Sequence, residues 1–261
     1  MIMVPWWAPP LLAVQFLTRV PVPLLDGLGS AVVQAGLVRA VAWFPLVGTL
    51  VGATTAAIIA GAAMLWPLPV AVLLALAAEA RLTGAFHEDA VADFCDAFGG
   101  GITADDVRRI LKDSRIGSYG ALGLGLAVAL RAALLMALPW AAQPWLAAAA
   151  TVASACFGRL LVVALMASVA PAPAGNGLAK DIGSGVGSGT LAAGLVLSAP
   201  GLAAFALRLP AALAAACVTA GLFLWWFRGM LVRRIGGSTG DGLGFAAYAG
   251  QLMLLLAAVP G

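Results

Sequence analysis

His87, Asp89, Asp93 and Asp96 fall within ten residues of one another, in a segment reading TGAFHEDAVADFCDAFGG from Thr83 to Gly100. The three aspartates are spaced i, i+4, i+7, which on an α-helix sets them within about 60° of one another on one face. Carboxylates crowded in this way repel unless a cation holds them together. Oxygen ligands projecting from a helix suit Mg²⁺, which keeps waters and substrate phosphates in its shell. Gly99, Gly100 and Gly101 follow, where backbone can approach a ligand closely. The basic residues Arg108, Arg109, Lys112 and Arg115 come next. Acids for a metal, with bases for phosphate oxygens, are the parts that phosphoryl transfer needs. The plainer alternative is a solvated acidic helix at a membrane surface.

The chain around this segment is of a different character. Of its 261 residues 63% are hydrophobic and 10% charged, with a mean hydropathy of +1.05. A soluble domain carries about 25% charged residues, so the composition indicates an all-α polytopic membrane bundle. One domain is expected over 1–261, with an interfacial region at 1–39 and a charged active-site segment at 79–119. Four clustered acids placed in hydrocarbon would cost roughly 3 kcal/mol each, so that segment belongs in water or in a polar cavity at the membrane face. A net charge of +3 is too small to suggest a nucleic-acid partner, and no basic run suggests one either. Cys95, Cys156 and Cys217 are isolated, with no CxxC pair, and read as packing residues rather than a metal or disulfide frame. The N-terminus lacks a basic n-region and a small-residue cleavage site, so no signal peptide is expected; its prolines and the Trp6–Trp7 pair suit a short interfacial helix.

Seven spans are expected. The uncharged stretch from Ala40 to Ala78 is broken by Pro67 and Pro69 into a hairpin at about 41–64 and 68–83. Further spans follow at about 119–138, 144–167, 190–207, 210–227 and 242–259, with a Gly/Pro/Ala-rich loop at 171–189. This arrangement puts eleven of the fourteen Lys and Arg and all eleven acids on one side, which the positive-inside rule makes cytoplasmic. Arg159 lies within the fourth span, placed either as an intramembrane functional charge or as one that snorkels to the interface. Arg131 is expected to snorkel towards the opposite face, and Glu79 to end the second span beside the site or at the interface. Arg233 and Arg234, with Gly236, Gly237, Gly240 and Asp241, make a basic, glycine-rich turn before the last helix. A helix N-terminus of this kind suits a phosphate, although a positive-inside anchor with Asp241 as an ordinary N-cap is the simpler reading. The Gly48–Gly52 spacing indicates close helix packing.

The same residues carry a resemblance. TGAFHEDAVADFCDAFGG followed by LKDSRIGSYG (Leu111–Gly120) resembles the signature of the cobalamin synthase family, the adenosylcobinamide-GDP ribazoletransferases, whose usual form is close to TGGLHLDGLADTADG and then MKDSRIGTYG. FLTRVPVP (Phe16–Pro23), FPLVGTLVG (Phe44–Gly52) and RRIGGSTGDGLG (Arg233–Gly244) fit in the expected order. The chain departs from the pattern at Ala85, Phe86, Glu88, Ala90 and Val91, and its 171–180 loop lacks an expected Arg and acid.

The resemblance implies an enzyme that couples α-ribazole or its 5′-phosphate to adenosylcobinamide-GDP, with release of GMP, in a Mg²⁺-dependent reaction at the cell inner membrane, facing the cytoplasm. In that setting Asp89, Asp93, Asp96 and Asp241 are the expected metal ligands, with Asp93 or Asp96 as an alternative base. Lys112 and Arg115 would hold the pyrophosphate or GMP, and Asp113 would orient one of them. His87 would serve as a substrate contact, a base or a structural hydrogen-bonding group. Arg159, Arg233 and Arg234 complete the expected substrate-binding set. The implied partners are the two substrates and membrane lipid, with a homo-oligomer or other cobalamin-assembly enzymes as the protein partners. Two competing readings are a CDP-alcohol phosphotransferase, whose D-x-x-D-G-x-x-A-R pattern fails after Asp96, and a small transporter with an acidic cytoplasmic gate.

Overall fold

The computed structural model describes residues 3–173, 182–183 and 185–259, and all regular elements among them are helical. They are α1 (Ala8–Leu17), α2 (Ser30–Ala40), α3 (Phe44–Ala62), α4 (Leu68–Thr83), α5 (Phe86–Gly100), α6 (Ala104–Ile110), α7 (Ser118–Ala137), α8 (Pro144–Ser168), α9 (Ser188–Arg208), α10 (Pro210–Ile235) and α11 (Gly240–Ala258). Six of these stretches are long and apolar enough to cross a membrane, or seven if the bent pair α4–α5 counts as one. The fold is therefore the expected polytopic helical bundle of a multi-pass membrane protein.

Prolines mark the helix starts the sequence led one to expect. Pro144 and Pro210 each occupy the first position of their helix, where a missing N–H costs nothing, and Pro67 precedes α4. Two boundaries differ from expectation. Residues 30–40 join α3 through a short 3₁₀ turn at Val41–Trp43, so that Ser30–Ala62 forms one apolar stretch rather than an interfacial arm followed by a span. Helix α10 continues to Ile235, beyond the expected end near 227, because no breaker precedes Gly236, which closes the helix at φ +84°.

Helix α8 is the axis of the bundle. Its membrane-length window is 83% buried, and α3, α9 and α11 pack around it. Close approach is possible where side chains are missing. A Cβ on Gly48 or Gly52 of α3 would meet the α8 backbone at Ala155 and Val152, and Gly158 of α8 lies against Ala247 and Gly250 of α11. The Gly48–Gly52 spacing thus does what small residues do in membrane bundles.

Helix α5 departs from the bundle direction. It is bent 89° from α4 at Gly84 and Ala85, both in the left-handed region (φ +73° and +55°). A Cβ on Gly84 would strike the Arg19 guanidinium, while the Arg19 N–H donates to the Leu82 carbonyl at 2.7 Å. Ala85, where the related pattern has glycine, is the only non-glycine residue with positive φ among those described. The apolar side of α5 (Ala90, Val91, Phe94, Ala97) is buried and packs on α7 and α11, with Phe94 stacked between Phe98 and Phe245 at 4.3 and 4.2 Å. Its acidic residues are thereby held at the charged end of the bundle.

Candidate functional site

Three groups of polar residues meet around α5. The first is an acidic face. Asp89 is exposed and Asp93 half-buried, one turn apart on α5, and Asp241 in the first turn of α11 feels the charges of both. None of the three carboxylates has an ion-pair partner among the described residues. Partial burial, then the neighbouring Asp89 and Asp96 charges, raise the Asp93 carboxyl above its ordinary value. Asp241 is not the helix cap expected from its position. Thr239 fills that place, its hydroxyl accepting from the Gly242 N–H at 3.2 Å.

No three acidic, His or Cys side chains among the described residues converge into a ready-made metal cage. A magnesium-type cation is commonly held by one or two carboxylates and completed by waters and substrate phosphates. The hard oxygen donors and the uncompensated negative charge fit such a cation.

The second group is an open groove lined by Asp96, Gly100, Asp113, Arg115, Gly117 and Tyr119. Asp96 is engaged by the backbone here. One of its oxygens accepts from the Gly117 N–H at 2.7 Å and the other from the Gly120 N–H at 2.8 Å, so its buried carboxylate caps α7. A Cβ on Gly117 or Gly120 would collide with it. Asp96, expected from the sequence as a metal ligand or base, is placed here as the cap of α7, each of its oxygens accepting one backbone N–H. Asp113 accepts from the Arg115 side chain through Nε (3.0 Å) and Nη2 (2.7 Å). The Arg115 hydrogen bond is the main cause that holds the Asp113 carboxyl down at about 2. Lys112 is exposed on the same loop. Beyond the groove, Thr103 and Asp106 form a capping box that starts α6.

The third group is internal. Arg131 does not snorkel. It is 2% exposed, and its Nη2 lies 2.8 and 2.7 Å from the two oxygens of Glu79, which is itself buried and accepts from the Thr55 hydroxyl at 2.6 Å. Glu88 approaches Arg131 at 3.6 Å, and the guanidinium lies over the Tyr248 ring. Arg159 is 1% exposed, deep in α8, with Nη2 at 3.5 Å from His87 Nδ1 and Nε without a partner. It is therefore an interior charge and not a snorkelling one. Sequence reasoning missed the Glu79–Arg131 pair. Two opposite charges in neighbouring spans were the available signal, since an intramembrane charge normally has a partner.

The remaining expected contacts divide. Arg233 is exposed. The Arg234 Nη2 donates to the Gly101 carbonyl at 2.6 Å, with its guanidinium over Phe98, so Arg234 ties the end of α10 to the end of α5. The loops after α8 and α10 are joined by a short parallel bridge between Pro171 and Ser238. Residues 174–181 and 184 of the divergent 171–189 loop lie outside the described residues. All three cysteines are free; Cys156 is buried in the bundle and Cys217 is exposed on α10.

A polytopic bundle with an acidic face, an arginine-bearing loop and a buried ionic interior has the parts of an intramembrane phosphotransferase. Comparison with known proteins specifies the class. A family profile described as cobalamin-5-phosphate synthase matches residues 9–259. An adenosylcobinamide-GDP ribazoletransferase of Ralstonia nicotianae is 41% identical over 257 residues, covering 94% of this chain and 92% of that relative. Enzymes of the same name from Leptothrix cholodnii (40% identical, 92% and 93% covered) and Shewanella frigidimarina (35%, 94% and 91%) are similar over comparable lengths. No solved structure matches the chain. The chain belongs to the cobalamin-5-phosphate synthase family, transferases of cobalamin nucleotide-loop assembly.

Proposed function

We propose that the acidic face and the adjoining groove carry out Mg²⁺-dependent joining of α-ribazole, or its 5′-phosphate, to adenosylcobinamide-GDP, with GMP as the leaving group. In this reaction a ribose hydroxyl oxygen forms a bond to the corrinoid-side phosphorus, the pyrophosphate P–O bond breaks, its electron pair leaves with GMP, and the hydroxyl proton is released to water or to the departing GMP phosphate. The observation that carries the reading is the set of carboxylates of Asp89, Asp93 and Asp241, without an ion-pair partner among the described residues and contributed by two helices at one end of the bundle.

Asp89, Asp93 and Asp241 would supply the carboxylate oxygens, of which the cation would take one or two, with waters and substrate phosphates completing its shell. When bound, it would neutralise the phosphate oxygens and stabilise the charge that develops on the leaving phosphate. Arg115, oriented by Asp113, and the exposed Lys112 supply donors for phosphate oxygens on the neighbouring loop. Asp96 keeps that loop in place by capping α7. His87, enclosed beside Arg159, acts as a substrate contact rather than as the base.

The charged side faces the cytoplasm of the inner membrane in this reading, because the Lys and Arg residues gather there. A CDP-alcohol phosphotransferase and a gated transporter have no observation in their favour comparable to the family match.

Binding of Mn²⁺ as a paramagnetic substitute tests the cation assignment without turnover. Electron paramagnetic resonance of the purified, detergent-solubilised protein should report a bound Mn²⁺ in the presence of adenosylcobinamide-GDP. Asp93→Asn should release it and Lys112→Ala should not. Retention of the ion by Asp93→Asn would move the metal elsewhere.

A further inference from the structure

Glu79 and Glu88 stand on opposite sides of the 89° bend between α4 and α5, Glu79 near the end of α4 and Glu88 in the first turn of α5. Both meet the same guanidinium. Arg131 of α7 sets its Nη2 at 2.8 and 2.7 Å from the two Glu79 oxygens and its Nη1 at 3.6 Å from Glu88 Oε1. Its flat face lies over the Tyr248 ring of α11, 5.6 Å from the centroid. The fork of a guanidinium is rigid, so two acids held at its two ends cannot move independently. The bend itself is made by Gly84 and Ala85, so only a few backbone dihedrals set its angle. Arg131 thus braces both arms of the bend and ties them to α11.

Two of these helices, α5 and α11, carry the acidic face. Glu88 directly precedes Asp89 on α5, and Tyr248 follows Asp241 by two turns on α11. Between these points the two helices touch through small and flat groups: a Cβ on Gly244 would strike the Ala90 side chain, and Phe94 stacks on Phe245 at 4.2 Å. Contacts of that kind set how near the helices come but leave α5 free to tilt and roll about them. The brace removes that freedom. Arg131 is 2% exposed, so it acts through its neighbours and not by touching a substrate. Of the positions where the chain departs from the related pattern, Glu88 alone brings a charge, so one acid of the brace belongs to this sequence in particular.

Resting on the functional reading above, we propose that Arg131 is a positioning residue. By holding Glu79, Glu88 and Tyr248 at once it fixes the α4–α5 bend against α11. It thereby sets how Asp89 and Asp93 stand relative to Asp241, and how tightly that face binds a divalent cation.

The test separates positioning from charge and from stability. Mn²⁺ titration followed by electron paramagnetic resonance, on the purified full-length protein in detergent with adenosylcobinamide-GDP present, reads cation affinity without turnover. Glu79→Leu with Arg131→Met removes one charge of each sign, which keeps the net charge and spares the fold a lone buried ion. If Arg131 acted only through its field, this variant would bind Mn²⁺ much as wild type does. Loss of the brace should instead weaken binding by about tenfold. Tyr248→Leu, which alters no charge, should weaken it by about threefold.

Hydrogen–deuterium exchange of the metal-free protein gives a readout that needs no cation. In both variants the amides of α5 should exchange faster while those of α8 stay protected. A merely structural role would lower Tm and loosen the helices together, with Mn²⁺ affinity preserved in the folded protein. Wild-type Mn²⁺ affinity in both folded variants, or exchange in α5 that does not change, would overturn the proposal. Failure of wild type itself to bind Mn²⁺ would sink the cation assignment, and the exchange of α5 would then decide the brace.

Discussion

Removing the Asp96 carboxylate separates a structural from a catalytic account of the acidic helix. Both oxygens accept backbone N–H groups at the start of α7, at 2.7 and 2.8 Å, from a carboxylate that is only 9% exposed. Hydrogen bonds to a charged group are worth about 1.5 kcal/mol each at the low end, so Asp96→Ala should cost about 3 kcal/mol. The favourable position of a negative charge at a helix N-terminus adds about 0.5 kcal/mol. For a chain of this size, a total loss of about 3.5 kcal/mol lowers Tm by about 7–14 °C. Asp96→Asn keeps one acceptor oxygen and should lose roughly half as much. The assay is thermal unfolding of detergent-solubilised protein, followed alongside GMP release at a temperature where all variants are folded. The account predicts graded losses of stability, weaker binding of phosphate-bearing substrate through a displaced Arg115 loop, and an unchanged Mg²⁺ requirement. An Asp96→Asn protein that melts like wild type but needs far more Mg²⁺ would refute the capping role and return Asp96 to the metal.

Other perturbations have equally definite outcomes. Glu79→Gln leaves the buried Arg131 without its partner and should destabilise the protein by about 3–5 kcal/mol, while the double change to Glu79→Leu with Arg131→Met should cost less than either charge removed alone; a double-mutant cycle of thermal unfolding reads this, and simple additivity would contradict it. Ala85→Gly relieves a left-handed alanine worth about 1–2 kcal/mol against a smaller loss of about 0.4–1 kcal/mol in chain entropy, so Tm should rise by a degree or more. A fall in Tm would show that the α4–α5 bend is held by something other than backbone preference. In the absence of substrate, Asp93→Asn should raise Tm by relieving the repulsion with Asp89 and Asp241, and should remove any further gain on adding Mg²⁺; a Mg²⁺ gain that persists in the variant would place the cation away from this face.

Much of this was legible in the chain. The i, i+4, i+7 spacing of Asp89, Asp93 and Asp96 located α5 and its acidic side, and prolines at 67, 144 and 210 located three helix starts. What was not legible depends on partners far away in sequence. Whether Asp96 faces a metal or a helix end is decided by Gly117 and Gly120, more than twenty residues downstream. The Glu79–Arg131 bond spans 52 positions, and neither residue alone reveals whether it meets lipid, water or the other. Asp241 looked like a cap because Asp commonly is one; Thr239, two residues earlier, takes that place. The bend at Gly84–Ala85 shows a different limit, since an alanine does not announce positive φ and only the demand of α5 packing imposes it.

The most direct test of the central claim is Mg²⁺-dependent GMP release by the purified protein given adenosylcobinamide-GDP and α-ribazole phosphate, with Asp93→Asn measured in parallel. The account predicts GMP release by wild type that requires Mg²⁺ and falls by about 10²-fold or more in the variant. Full turnover by a folded Asp93→Asn protein, or turnover indifferent to Mg²⁺, would contradict it.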